Sequence, residues 1–170
     1  MPTSTINKAL TTRQICAALR DIKQFVGVFP RDRLPVLKKL PAFLVINTDS
    51  ADEPGEHWIA VCISRQRQAI FFNSFGLPPL SADVVSFIDR YSNRLEYCNV
   101  VLQNAYSTVC GFYCIAFVRH MANGGTLSRF VSQFVRRGGS FSRTGTNDDV
   151  VVRLLRRILT RRQKAAVGLS

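Results

Sequence analysis

The chain has 170 residues, of which 46% are hydrophobic and 10% aromatic, with a mean hydropathy of +0.06. That composition builds a single domain whose core needs no staples, excludes a disordered chain, and contains no apolar run of the about 18 residues that a membrane span requires. The net charge of +12 is uneven: residues 1–100 carry 12 basic and 9 acidic groups, residues 101–170 carry 11 and 2, a gradient that points to a polyanionic partner.

In chain order, Thr11 and Thr12 cap a predicted helix that runs to about Val26, with Ile15, Leu19, Ile22 and Val26 on one face and Gly27 as its stop. Residues 28–41, with three prolines, read as a surface loop. Residues 42–48 form an apolar strand and residues 49–56 an acidic loop. Residues 57–64 and 69–73 are two strands joined by the short Arg65-Gln66-Arg67-Gln68 turn, a hairpin pattern. Ser81 caps a helix to about Arg94, and residues 97–103 read as a fourth strand.

Cys110 opens an apolar helix that ends near Asn123, before Gly124 and Gly125. A short helix follows over 126–135, then a flexible Gly/Ser/Arg linker over about 136–146, then a basic helix and tail over 147–170. In that last helix Val151, Leu154, Leu155 and Ile158 share the apolar face, opposite Arg153, Arg156, Arg157 and Arg161. No internal repeat is visible. The order of elements predicts an α+β fold in one domain spanning 1–170.

Five cysteines cannot all pair within one chain, and Cys16, Cys62, Cys110 and Cys114 sit in apolar patterns instead of loops. Residues 1–5 lack the apolar core of a signal peptide. Both features predict a reduced intracellular protein that is not secreted by that route.

The chemistry centres on Cys110. A cysteine at a helix N-terminus faces unpaired N–H groups and the positive end of the macrodipole, which favour thiolate. Gly111 leaves room for another backbone to come close. Gln103, seven residues upstream, can offer its amide N–H₂ where a tetrahedral intermediate would carry negative charge. Taken alone, the segment reads equally well as a half-buried helix with a core cysteine.

His57 and His120 are the two histidines. His120 lies ten residues along the same helix, about 15 Å from the sulfur, so His57 at the mouth of its strand is the candidate base. Asn73, at the end of the paired strand, can orient the imidazole with its side-chain oxygen. A zinc site built from Cys110, Cys114, His57 and Cys62 is the rival chemistry, disfavoured because the chain has no C-x-x-C pair.

These pieces resemble the adenovirus maturation protease (adenain) family, including related enzymes of Polinton-type and adenovirus-like elements, and more distantly the SUMO-specific proteases. The matching stretches are Phe25 to Arg33, Ile46-Asn47-Thr48, Gly55-Glu56-His57-Trp58, Phe71-Phe72-Asn73-Ser74-Phe75-Gly76, and Gln103 through Cys110-Gly111-Phe112-Tyr113-Cys114, in family order.

The resemblance implies a papain-like fold: a small mixed sheet flanked by helices, with the nucleophile opening a central helix. It makes Cys110 the nucleophile, His57 the general base and Gln103 the oxyanion donor. Asn73 stands where the adenovirus enzymes have glutamate and the SUMO proteases aspartate. The chemistry needs no metal or cofactor.

The substrates implied are viral structural precursors, cut beside small residues by a monomer in the virion and host nucleus, with no membrane involved. A deconjugating enzyme for SUMO-like modifiers and an inactive DNA-binding virion component are the alternatives. The family's activators are a viral peptide, for which Cys98 is the disulfide candidate, and DNA. The DNA contacts would come from Arg136, Arg137, Arg153, Arg156, Arg157, Arg161 and Arg162 holding phosphates.

Overall fold

The computed structural model describes residues 6–134 and 146–169. Its central strands read as unbroken apolar runs because both faces of their sheet are covered. Within β2 (Ala42–Asn47), Phe43 and Val45 face one core while Ala42, Leu44 and Ile46 face another. β3 (Trp58–Ile63) and β4 (Gln68–Phe72) alternate in the same way.

The sheet order is β1-β2-β3-β4-β5, with β1 (Phe25–Pro30) and β5 (Arg94–Tyr97) at the edges. The inner pairs β2–β3 and β3–β4 are antiparallel, and both edge pairs are parallel. The predicted hairpin is the β3–β4 pair.

One core packs under α2 (Ala82–Tyr91), through Val84, Phe87 and Ile88. The other is built on α1 (Thr12–Leu19), α3 (Cys110–Ala122), α4 (Leu127–Val131), α5 (Asn147–Ile158) and α6 (Arg161–Val167). α3 lies at its centre. Every residue from Cys110 to Val118 is buried, as expected of a helix that is apolar all round.

Four sequence expectations are corrected. The helix expected from a Ser81 cap to about Arg94 spans Ala82–Tyr91, the Ser81 hydroxyl makes no cap bond, and Arg94 instead opens β5. The first helix stops at Leu19, not Val26, because residues 25–30 pair with β2 as a parallel edge strand. Gly27 ends no helix; it sits where the register slips between Phe25 and Gly27, a bulge at the sheet edge.

The fourth strand falls earlier than the apolar run 97–103. β5 pairs Arg94 to Tyr97 with Gln68 to Phe71, and β4 ends at Phe72, which leaves the later residues no ladder to join. They turn across the end of the sheet, where the N–H groups of Leu102 and Gln103 both donate to the Ser74 carbonyl, at 2.9 and 3.0 Å. Gly76 permits this crossing, since with φ +70° a Cβ there would lie 2.7 Å from the Val100 carbonyl carbon.

The last helix is two helices. Leu159 is extended and buried, and Thr160 caps α6 in a box with Gln163, so Arg161 and Arg162 open a new helix. Ile158, expected on the apolar face, is 41% exposed, and Val152 is buried. The short helix expected over 126–135 spans Leu127–Val131. The expected linker lies outside the described residues except for Thr146, which caps α5 through Asp149.

The α3 core is aromatic. Phe72 stacks on Phe117 at 4.6 Å, and Phe130 meets Phe72, Phe117 and Phe134 edge-on. Phe130→Ala should lower unfolding free energy by about 3–5 kcal/mol, the usual cost of deleting a buried ring. Urea titration checks this, and a loss under about 1 kcal/mol would mean the cavity collapses freely.

Candidate active site

One groove of about 760 Å³ is lined by His57, Trp58, Phe75, Gln103 and Cys110, among others. His57 immediately precedes β3, and Asn73 immediately follows β4. The β3–β4 ladder ends at the Ala60–Phe72 pair, and the turn closed by the Gly76 N–H on the Asn73 carbonyl lays Phe75 against His57, ring on ring at 4.9 Å.

His57 Nε2 lies 2.9 Å from Asn73 Oδ1. That same oxygen accepts the Phe75 backbone N–H at 2.9 Å. An N–H can bond only an acceptor, so Phe75 fixes which end of the amide is oxygen. His57 must then donate through Nε2–H, and Nδ1 keeps its lone pair as a base. Burial holds the imidazole below its ordinary 6.5, with the Asn73 bond opposing the shift.

Cys110 is 5% exposed at the start of α3. Burial raises its thiol above the usual 9.0, opposed by hydrogen bonds from the backbone N–H groups of Trp58, Gly111 and Cys110. Those donors are available because of how the helix begins. The N-cap is Val109, which has no side-chain oxygen to offer, whereas Thr11, Thr126, Thr146 and Thr160 each cap their helix with a hydroxyl; α2, behind Ser81, also starts without a side-chain cap bond. An uncapped first turn keeps its N–H groups for the sulfur or for an oxyanion.

Trp58 adjoins the base in sequence and the sulfur in space. Its indole N–H donates to the Leu10 carbonyl at 2.8 Å. Gly111 serves close approach, though of side chains instead of the backbone expected. A Cβ there would lie 3.0 Å from Leu10 Cβ and 3.3 Å from Trp58 Cδ1.

Gln103 is 3% exposed. Its Oε1 accepts from Ser74 Oγ and its Nε2 donates to the Ser107 carbonyl, both at 2.7 Å. Tyr113 on α3 donates to Asp148 Oδ1 at 2.9 Å, and the Asn104 N–H donates to the same carboxylate oxygen at 3.4 Å. Burial, with Asp148 beside it, raises the Tyr113 hydroxyl well above its ordinary range. The next loop residue, Thr108, gives its N–H and Oγ–H to Asn7 Oδ1 at 2.8 and 3.0 Å.

The structure thus brings Cys110, His57, Asn73 and Gln103 to one end of the sheet. His120 is elsewhere, bonded through Nε2 to the Thr126 carbonyl. Cys62 and Cys114 are buried in the core with thiols pushed up by burial. Cys98 is also buried just past β5, donating to the Val100 carbonyl at 3.4 Å, and all five cysteines are free. Arg153, Arg156, Arg157, Arg161 and Arg162 are exposed, on α5 and α6; Arg136 and Arg137 lie outside the described residues. The sequence pattern gave no role to Phe75 or Ser107, which act through backbone atoms, nor to Ser74 and Asn7, which bond through their side chains.

At the level of sequence, no family model and no curated protein matches the chain. Solved structures do match. An ASFV protease superposes with a TM-score of 0.61 at 17% identity, over 94% of this chain and 71% of its own. ChlaDub1 of Chlamydia trachomatis gives 0.57 at 11%, over 99% and 95%. The SUMO protease Ulp1 gives 0.51 at 11%, over 95% and 79%. The fold is therefore the papain-like cysteine-protease fold of the Ulp1 type, an α+β architecture with a mixed five-stranded sheet.

Both shifts favour a neutral thiol beside a neutral imidazole. A base whose pKa is lowered stays competent down to that pKa and is lost on protonation below it. The His57 imidazole should therefore protonate with a midpoint below pH 6.5, which NMR titration of its ring protons checks. Iodoacetamide labelling of Cys110 should climb with pH towards and beyond 9.0. A labelling rate already on its plateau at about pH 5 would instead reveal a standing thiolate–imidazolium pair.

Proposed function

We propose that this chain is a cysteine endopeptidase that cleaves viral structural precursor polypeptides during particle maturation. The observation that carries the reading is the imidazole held through Nε2 by Asn73, in the same groove as a sulfur on an uncapped helix. Its fold-mates include a viral protease.

In the proposed cycle, His57 Nδ1 takes the Cys110 proton as the sulfur attacks the scissile carbonyl. The oxyanion is met by the Cys110 backbone N–H and Gln103 Nε2–H. His57 then protonates the leaving amine, and water hydrolyses the thioester. Since Asn73 carries no charge, the imidazolium is stabilised by hydrogen bonding alone while it exists. The helix N-terminus offsets part of that deficit at the sulfur.

Cys110→Ala should abolish cleavage of candidate capsid precursors with unfolding unchanged, and Asn73→Ala should lower kcat by about tenfold or more. Sequencing the new termini reads both, and turnover surviving in Cys110→Ala contradicts the assignment. A modifier-deconjugating enzyme would use the same groups. Preferential cleavage of SUMO- or ubiquitin-type conjugates over precursor peptides would select it.

The proposed setting is the virion and host nucleus, with DNA and a viral peptide as activators and Cys98 as the peptide's disulfide partner. Exposed arginines on α5 and α6 support the DNA element. Binding to a DNA duplex, followed by fluorescence anisotropy, should weaken with a log–log salt slope of about −0.9 per phosphate neutralised. A flat response removes DNA from the proposal.

A further inference from the structure

Ser74 follows the imidazole orienter and is 1% exposed. Its hydroxyl donates to Gln103 Oε1 at 2.7 Å, while its carbonyl accepts the Leu102 and Gln103 N–H groups. Both the backbone and the side chain of Gln103 are therefore tied to this one residue. We propose that Ser74 is the positioning residue for the oxyanion-binding amide: it pins the oxygen end of Gln103 so that the nitrogen end is aimed before substrate arrives. The inference rests on the peptidase reading above.

The amide can serve an oxyanion only with nitrogen forward, since its oxygen would repel the developing charge. The Ser107 carbonyl selects that sense, because only the N–H₂ end can sit against it at 2.7 Å. It uses one N–H and leaves the second. Ser74 holds the opposite end, which prevents the side chain from swinging about its three torsions.

The Ser74 bond also polarises the amide. As an oxyanion draws on Nε2–H, electron density moves to Oε1, where the serine hydroxyl already donates, so the two bonds strengthen each other. Without the hydroxyl, Oε1 is a buried acceptor with no donor. Gln103 then turns to recover one, and the prepared geometry is lost.

The test is Ser74→Ala in the full chain, beside Gln103→Ala and the double variant, with Ser74→Cys as a milder replacement. Expected results are a kcat lowered by about tenfold or more with KM nearly unchanged, and a matching loss of affinity for a peptide aldehyde whose adduct carries the oxyanion. Adding Ser74→Ala to Gln103→Ala should cost nothing further. Equal losses in both backgrounds, or an unchanged kcat in Ser74→Ala and Ser74→Cys, overturn the proposal.

Side-chain ¹⁵N–¹H NMR of Gln103 separates this from the peptidase reading. Ser74→Ala should broaden or shift the amide pair and speed its exchange whether or not any peptide is cut. An unaltered pair refutes the positioning role. A parent chain that cuts no peptide refutes the peptidase reading while the NMR comparison still decides Ser74.

Discussion

The site depends on a helix that is buried from its first residue, where its chemistry begins. α3 is enclosed for two and a half turns, from Cys110 to Val118, so its axis cannot shift without breaking the aromatic packing around Phe117 and Phe130. The open first turn is what that rigidity holds in place. Its unpaired N–H groups would be a local instability on a loosely packed helix, since capping is worth about 0.5–2 kcal/mol. Here the helix is fixed by tertiary contacts, and the uncapped end becomes a site for negative charge.

The rest of the fold supplies partners to that end. The β3–β4 ladder brings its two flanking residues, His57 and Asn73, to one edge of the groove. The turn after β4 then gives Ser74 and Phe75, which hold Gln103 and the Asn73 oxygen respectively. Four consecutive positions from Asn73 to Gly76 thus orient His57, hold Gln103 and let the chain pass close by Val100. The ties that hold Gln103 and the Asn73 oxygen each include a backbone atom or a buried side chain, which makes the arrangement stiff at low cost in side-chain entropy.

How much of this was legible in the sequence follows the range of each interaction. The Cys110 helix was readable because nine apolar residues in succession bury it on all sides. The hairpin was readable because a four-residue turn fixes its register, and His57 and Asn73 follow from that register. β1 was not, since its parallel pairing with β2 depends on contacts across a proline-rich connection, and Ile15, Leu19, Ile22 and Val26 mimic a helix face. The misplaced fourth strand has a similar cause: Val100, Val101 and Leu102 carry strand propensity, but β4 ends before they can pair. Thr160 and Gln163 do spell a capping box; the apolar periodicity running through Ile158 hid it. Ser74 left no local signal at all, because a serine in a turn has a bland explanation in any sequence.

A neutral orienter changes what the histidine can be. A carboxylate beside Nε2 would raise the imidazole and favour a standing ion pair with the sulfur; an amide oxygen supplies direction without charge. Burial of both partners pushes the same way, lowering His57 and raising Cys110. On the proposed peptidase reading, charge then exists in the groove only during attack on a substrate, and the groups that would meet it are dipoles: backbone N–H groups and the Gln103 amide. A site that makes its charge on demand relies more heavily on the aim of those dipoles than one that stores an ion pair. In this chain Phe75 sets the Asn73 oxygen against His57, and Ser74 and Ser107 hold the two ends of the Gln103 amide.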